Sequence, residues 1–276
     1  GDTIAAWDSG SERLSIFTPA GDFVRTVAPR QPLGVFPQIL GALDGGALLL
    51  ALHQASVGMS GASDVHVQRD TFRLGVLRPG GEVTEIGRFP GMEFAVSGSP
   101  TSGLMMMQRP FGLHTVAAAH GSTVYVAGGE RWEVAEYAAK GGLRRLIRAD
   151  RARRPVTAAD QRTYRQTTVT RGDEGNQALR RQREHILARL PYPKQKPAIT
   201  ALQVADDGTL WVESPEEREG TLAGEWTVIS PAGQVLGRVR VPEALWVWQV
   251  GPDWLLGLAA GDDGEHVRLY RLTRPR

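Results

Sequence analysis

The chain contains no cysteine, which removes disulfide staples, thiolate metal sites and cysteine nucleophiles together. Lysine is almost missing as well: Lys140, Lys194 and Lys196 are the only lysines among 32 basic residues, so the positive charge is carried by arginine. Such a bias reflects either the codon usage of a GC-rich genome or the binding of phosphate groups. With 30 acidic residues the formal net charge is only +2. No apolar run approaches the roughly 18 residues of a membrane-spanning helix, and the longest, Ala47 to Leu52, has the length of a strand. Common catalytic signatures are missing too. There is no G-x-S-x-G elbow, no Walker glycine-lysine pair and no H-E-x-x-H. The glycines and serines of SVGMSGASD, ending at Asp64, are not followed by a phosphate-binding helix pattern and read as a loop.

What is present is a repeat, in a chain of 276 residues that is 41% hydrophobic and long enough to bury a sizeable core. Four segments share one form: SIFTPAGDFVRTV, LGVLRPGGEVTEIG, VAEYAAKGGLRRLI and TVISPAGQVLGRV. Each is an apolar strand, a short turn closed by Gly21, Gly81, Gly141 or Gly233, and a second strand. The glycine supplies a positive φ without steric cost, and Pro19, Pro79 and Pro231 pre-set the bend before it. A second unit precedes each hairpin, as in LDGGALLLAL, AHGSTVYVAG and ADDGTLWVES, where a tight turn leads into a strongly apolar strand. GDTIAAWD and GPDWLLGLA are its versions at the two ends.

These units predict an all-β chain: a single β-propeller domain over 1–276 built from four-stranded blades, about five of them visible and six in the full protein. The strands of a blade are named A to D in chain order. Trp7, Ile16, Phe17, Tyr125, Trp132, Tyr137, Trp211 and Trp226 are the bulky residues expected to fill the gaps between blades. The first unit lacks an inner strand A and the last an outer strand D. An N-terminal part of the ring, or a second chain, is therefore expected to close it.

The A to B and C to D turns are tight, whereas insertions fall at His53 to Asp70, Phe89 to Leu113, Ala149 to Pro197 and Ser214 to Gly224. Strands in a meander alternate direction, so B to C and D to A connections emerge on one face of the disc. That face is the expected binding face. The longest insertion, 150–196, reads as helical. Thr157 and Asp160 form a capping arrangement, and Leu179, Ile186, Leu187 and Leu190 form an apolar stripe ended by Pro191. Arg180, Arg181, Arg183 and Arg189 lie opposite that stripe, as a solvated face or an anion-binding one. Readers of RNA pair arginine with stacking aromatics, and only Tyr164 and Tyr192 are near, which disfavours nucleic acid.

At WDSGSERLSIFTPAGDFVRTV the first unit resembles the NHL-type propeller repeat, in residues Asp8, Ser9 and Arg13, while the later units keep only the turn glycines. The whole is similar to divergent six-bladed bacterial propellers, mostly without assigned function. The resemblance implies a periplasmic or extracellular protein and leaves protein binding, RNA binding and metal-dependent lyase chemistry open. The leading expectation is a binding or scaffold propeller holding a peptide, protein or small ligand on its elaborated face. The alternative is a hydrolase or lyase in the axial channel, with a divalent metal drawn from His53, His66 and His114 and from Asp64 and Glu93. From position alone, the residues expected at the ligand are Asp8, His53, His66, Arg109, His114, Arg131 and Tyr164. Met105, Met106 and Met107 supply either core packing or an adaptable contact surface.

Overall fold

A computed structural model of the protein describes residues 3–33, 35–54, 65–99, 103–170, 184, 187–215, 224–242, 245–261 and 264–273. Its strands form five antiparallel sheets, each a meander of consecutive neighbours. The first holds β1 (Ile4–Asp8), β2 (Arg13–Phe17) and β3 (Phe23–Val27). The second holds β4 (Val35–Leu43), β5 (Ala47–Gln54), β6 (His66–Leu77), β7 (Val83–Ser99) and β8 (Gly103–Gln108). The third comprises β9 (Val116–His120), β10 (Thr123–Ala127), β11 (Glu133–Ala138) and β12 (Leu143–Arg148). The fourth comprises β13 (Ala201–Val204), β14 (Leu210–Pro215), β15 (Gly224–Ile229) and β16 (Val235–Arg240). The fifth comprises β17 (Leu245–Val250), β18 (Trp254–Gly261) and β19 (Gly264–Arg271).

The four glycine hairpins share one geometry. Gly21, Gly81, Gly141 and Gly233 have φ of 92°, 89°, 95° and 88°. Each donates its N–H to the carbonyl three residues back, at 2.8 to 2.9 Å, and the ladder slips by one residue next to the turn in three of them and three pairs away in the Gly81 hairpin. This is a type I turn closed by a glycine bulge, and a side chain at the bulge position would carry the strain of a left-handed backbone.

The sheets pack in chain order, with a separate core between each successive pair. Strand β5 shows why its run is apolar throughout. Leu48, Leu50 and Leu52 face the first sheet, whereas Ala47, Leu49 and Ala51 face the third, so both sides of one strand are buried. Each such leucine contributes about 1.5–3 kcal/mol of burial. First strands lie side by side, β9 beside β4 and β13, and β13 beside β17. Trp7, Ile16, Tyr125, Trp132, Tyr137, Trp211 and Trp226 pack in these cores as expected. Phe17 does not: it turns to the other face of the first sheet, edge-on to the exposed Phe23 at 5.8 Å.

Two sequence expectations need correction. The first and last sheets are three-stranded, but the second has five strands rather than four. Phe89 to Leu113, read as an irregular insertion, is mostly sheet: β7 runs on to Ser99, pairing Glu93–Val96 with Arg69–His66 before returning as β8. His66 to Asp70 likewise belong to β6. The insertion after β12 stands on this extended arm. Its helix α1 (Ala158–Thr170) starts with the expected cap, Asp160 N–H donating to Thr157 Oγ1 at 3.2 Å and Thr157 N–H to Asp160 Oδ2 at 2.9 Å. Leu187 and Leu190 are buried against Ala95, Met107 and Tyr164. Met106 is exposed instead. The loop ending at Asp64 and residues Leu179, Arg180, Arg181, Arg183 and Ile186 lie outside the described residues.

Candidate functional site

A cavity of about 380 Å³ opens where the insertion meets the segments leading into β9 and β13. His114, two residues before β9, and Thr200, one before β13, line it together with Trp246 of β17. Phe111, Tyr164 and Lys196 close it from the side of the insertion. Glu213, near the end of β14, lines it too, as do Pro215 and its ladder partner Gly224 at the end of the β14–β15 pair. A Cβ at position 224 would stand 2.4 Å from the Glu213 side chain, so glycine is what lets that carboxyl lie flat against the neighbouring strand.

The walls are rigidly held. Lys196 Nζ donates to Asp160 Oδ1 at 2.9 Å, with both side chains buried, which ties the first turn of α1 to the returning chain. The same ammonium stands 5.7 Å from the centre of the Phe111 ring. Phe111 packs on Tyr164 and Tyr192, at 5.8 and 6.4 Å between ring centres, and adopts a φ of 55°, which an aromatic residue takes only under constraint from its surroundings. That constraint is visible. Glu93 Oε2 accepts from Arg109 Nη1 at 2.9 Å and from Leu113 N–H at 3.1 Å, and Arg109 Nε donates to the Pro191 carbonyl at 2.6 Å.

The electrostatics of the cavity centre on Glu213. Its Oε2 accepts from the Thr200 hydroxyl at 2.6 Å, and among the described residues no cation pairs with it. Burial pushes the Glu213 carboxyl above the usual carboxylate range, and the Thr200 hydrogen bond offsets only part of that. Lys196 is already neutralised by Asp160. The His114 ring nitrogens face the Gly112 and Thr200 carbonyl oxygens at 3.3 and 3.1 Å, so neither is turned to a ligand or a metal.

Of the residues expected at the ligand, the structure brings His114 and Tyr164 together at this cavity. Arg109 lies just behind it as a clamp between the sheet arm and the insertion. Asp8 serves its own turn: Ser11, through its hydroxyl at 2.6 Å and its N–H, and then the Gly10 N–H, hold its carboxyl below the ordinary range. Arg131 is exposed in the connection between β10 and β11 and lines none of the described cavities. The His66 Nδ1, within β6, is buried and has no hydrogen-bond partner among the described residues. The backbone of His53 pairs with Phe72 in β5, and its side chain lies outside the described residues, as does Asp64. Glu93, a candidate ligand by sequence, is committed to Arg109. Among the described residues no three His, Asp or Glu side chains gather as metal ligands. Sequence reasoning missed Glu213, although an acid at the end of an otherwise apolar strand, just before an insertion, is a signal that could have found it.

No protein-family model matches the chain, and no curated protein is significantly similar. Solved structures are similar at low identity. One is a member of the DUF4221 family from Bacteroides vulgatus, with 11% identity, a TM-score of 0.44, and coverage of 98% of this chain and 75% of that one. Another is hydrazine synthase from Kuenenia stuttgartiensis, with 13% identity, a TM-score of 0.41, and coverage of 99% and 60%. A third is a putative exported protein from Bacteroides fragilis, with 12% identity, a TM-score of 0.38, and coverage of 94% and 63%. The chain spans about three-fifths of the length of the second and third of these. Among the described residues no helix is long and apolar enough to cross a membrane.

Proposed function

We propose that the five sheets are blades of a β-propeller acting as a binding module, and that the cavity at Glu213 takes the protonated amine or guanidinium end of a small organic ligand. The observation that carries this reading is the buried carboxyl of Glu213, which among the described residues has no cationic partner, beside the aromatic residues Phe111, Tyr164 and Trp246 that line the same cavity. A ligand cation would neutralise that carboxylate where water does not, and its apolar body would lie on the rings. An anionic ligand finds no free partner here, because Lys196 belongs to Asp160 and the His114 nitrogens face carbonyl oxygens.

The test is a matched set of probes, benzylamine, benzyl alcohol and benzoate, followed by thermal shift and NMR titration at neutral pH. The amine is expected to bind best, and Glu213→Gln to abolish its advantage over the alcohol. An amine that binds no better than benzoate, or a preference that survives in Glu213→Gln, would overturn the reading. A raised carboxyl beside a cavity also suits general acid–base catalysis, and turnover lost in Glu213→Gln with binding retained would favour an enzyme.

Completion of the ring by a further sheet belongs to the same proposal. Its support is that the outward faces of the first and fifth sheets are apolar and open to solvent, with Ile4, Phe23 and Val24 on one and Trp246, Trp248, Val267 and Leu269 on the other.

A further inference from the structure

A second cavity of about 280 Å³ adjoins the first, sharing Pro197 and Pro215 as a common wall. It lies between the third and fourth sheets, at the root of the insertion, and its chemistry is opposite. Arg151, Arg153, Arg154 and Arg238 line it, with Glu225 as the one carboxylate among its lining residues. Glu225 is already divided, its Oε1 paired with Arg238 and its Oε2 with Arg240, each at 3.3 Å.

Arg151 and Arg153 are held in place by groups that do not neutralise them. Arg151 lies over the Trp132 ring at 4.7 Å and donates to Thr227 Oγ1 at 3.2 Å. Trp132 is itself fixed, its indole N–H donating to Ser214 Oγ at 3.0 Å. Arg153 gives its protons to the Lys196 and Gln195 carbonyls, at 2.9 and 3.0 Å. Among the described residues neither Arg151 nor Arg153 has a carboxylate within ion-pairing distance. Burial lowers the affinity of Arg151 for its proton, neighbouring Arg238 adds to this, and Glu225 opposes it. Positive charge is thus concentrated in a partly desolvated cleft with its side chains pre-positioned, an arrangement that a bound anion would relieve.

We infer that this cleft is an oxyanion site, binding a phosphate or carboxylate group between Arg151 and Arg238 with Trp132 as its floor. The fork of a guanidinium stacked on an indole leaves its outward N–H groups free to meet two oxygens at once. Glu225 limits the affinity by competing for Arg238. The site does not depend on Glu213, which lies across the shared wall.

The experiment titrates the protein with inorganic phosphate and with succinate, at constant ionic strength held by chloride, using calorimetry and thermal shift. Saturable binding of at least one is expected, and the tighter of the two identifies the source of the oxyanion. Arg151→Gln and Arg238→Gln should each weaken binding about tenfold, as loss of a charge-assisted bond does. Arg30→Gln, the same change of charge in the connection between β3 and β4, should leave it unaltered. Glu225→Gln should tighten binding several-fold, a gain that misfolding cannot mimic. Absence of saturable binding by both probes, an equal loss in Arg30→Gln, or weaker binding in Glu225→Gln would each overturn the inference.

Discussion

At Glu213 the fold places a carboxyl where ionisation is costly, and stability should record it. A carboxyl raised in the folded state contributes stability that is complete below its unfolded value, near the ordinary 4.5, and that is lost as pH rises through the folded value. The unfolded chain releases the proton first and so gains on the folded one across that window. Glu213→Gln keeps an acceptor for the Thr200 hydroxyl but cannot ionise. Melting temperature against pH is therefore expected to fall for the wild type above this window relative to Glu213→Gln, with the two curves converging in acid; parallel curves would remove the raised carboxyl. Lys196 supplies the contrast. Its partner Asp160 is fully buried, so Lys196→Met strands a carboxylate inside the protein and should cost about 3–5 kcal/mol in a urea titration. Restoring part of that loss with Asp160→Asn would assign it to the stranded charge rather than to packing. His114 and Tyr164 were picked by position along the repeat alone, and both line the cavity. Lys196 and Glu213 were not, since their roles come from a partner 36 residues away and from burial.

Among the elements, the hairpins were legible because their chemistry is local: a glycine at the fourth step of a turn has one geometric use, and all four serve it. The arm of the second sheet was not. Pro90 and Gly91 inside β7 and the Gly-Ser-Pro-Thr-Ser-Gly stretch after it look like punctuation, yet Pro90 falls where the β6–β7 ladder slips, where a missing N–H is tolerated. Long-range pairing with β6 and the weight of the insertion then hold the strand together. Arg109 is the joint between these parts, and its removal strands Glu93 as well. Arg109→Ala is expected to speed hydrogen exchange at Leu187 and Leu190 while amides of β13 to β16 keep their protection. Uniform loss across both regions would mean that the arm and insertion are not a separable unit.

For the molecule as a whole, each inner sheet has a packed core on both sides, whereas the first and last sheets each have a core on one side and exposed apolar residues on the other. Val267 and Leu269 of β19 are 60% and 69% exposed, and they share the outward face of the fifth sheet with Trp246, whereas Leu245 and Leu255 on its inward side are buried against the fourth. The outward face repeats the apolar pattern of the covered ones, which is why a further sheet was proposed to cover it. The consequence is testable without knowing where such a sheet comes from. Val267→Asp with Leu269→Asp should reduce self-association in sedimentation and binding of a hydrophobic dye. The same pair should change the unfolding free energy of this chain by about 0.5 kcal/mol or less, as exposed substitutions do. Polypeptide that supplies the covering sheet should shift the emission of Trp246 and Trp248 to the blue, and should fail to do so with the two aspartates in place. If the double substitution instead unfolds the protein, β19 is packed in solution as an interior strand, and the face is not open.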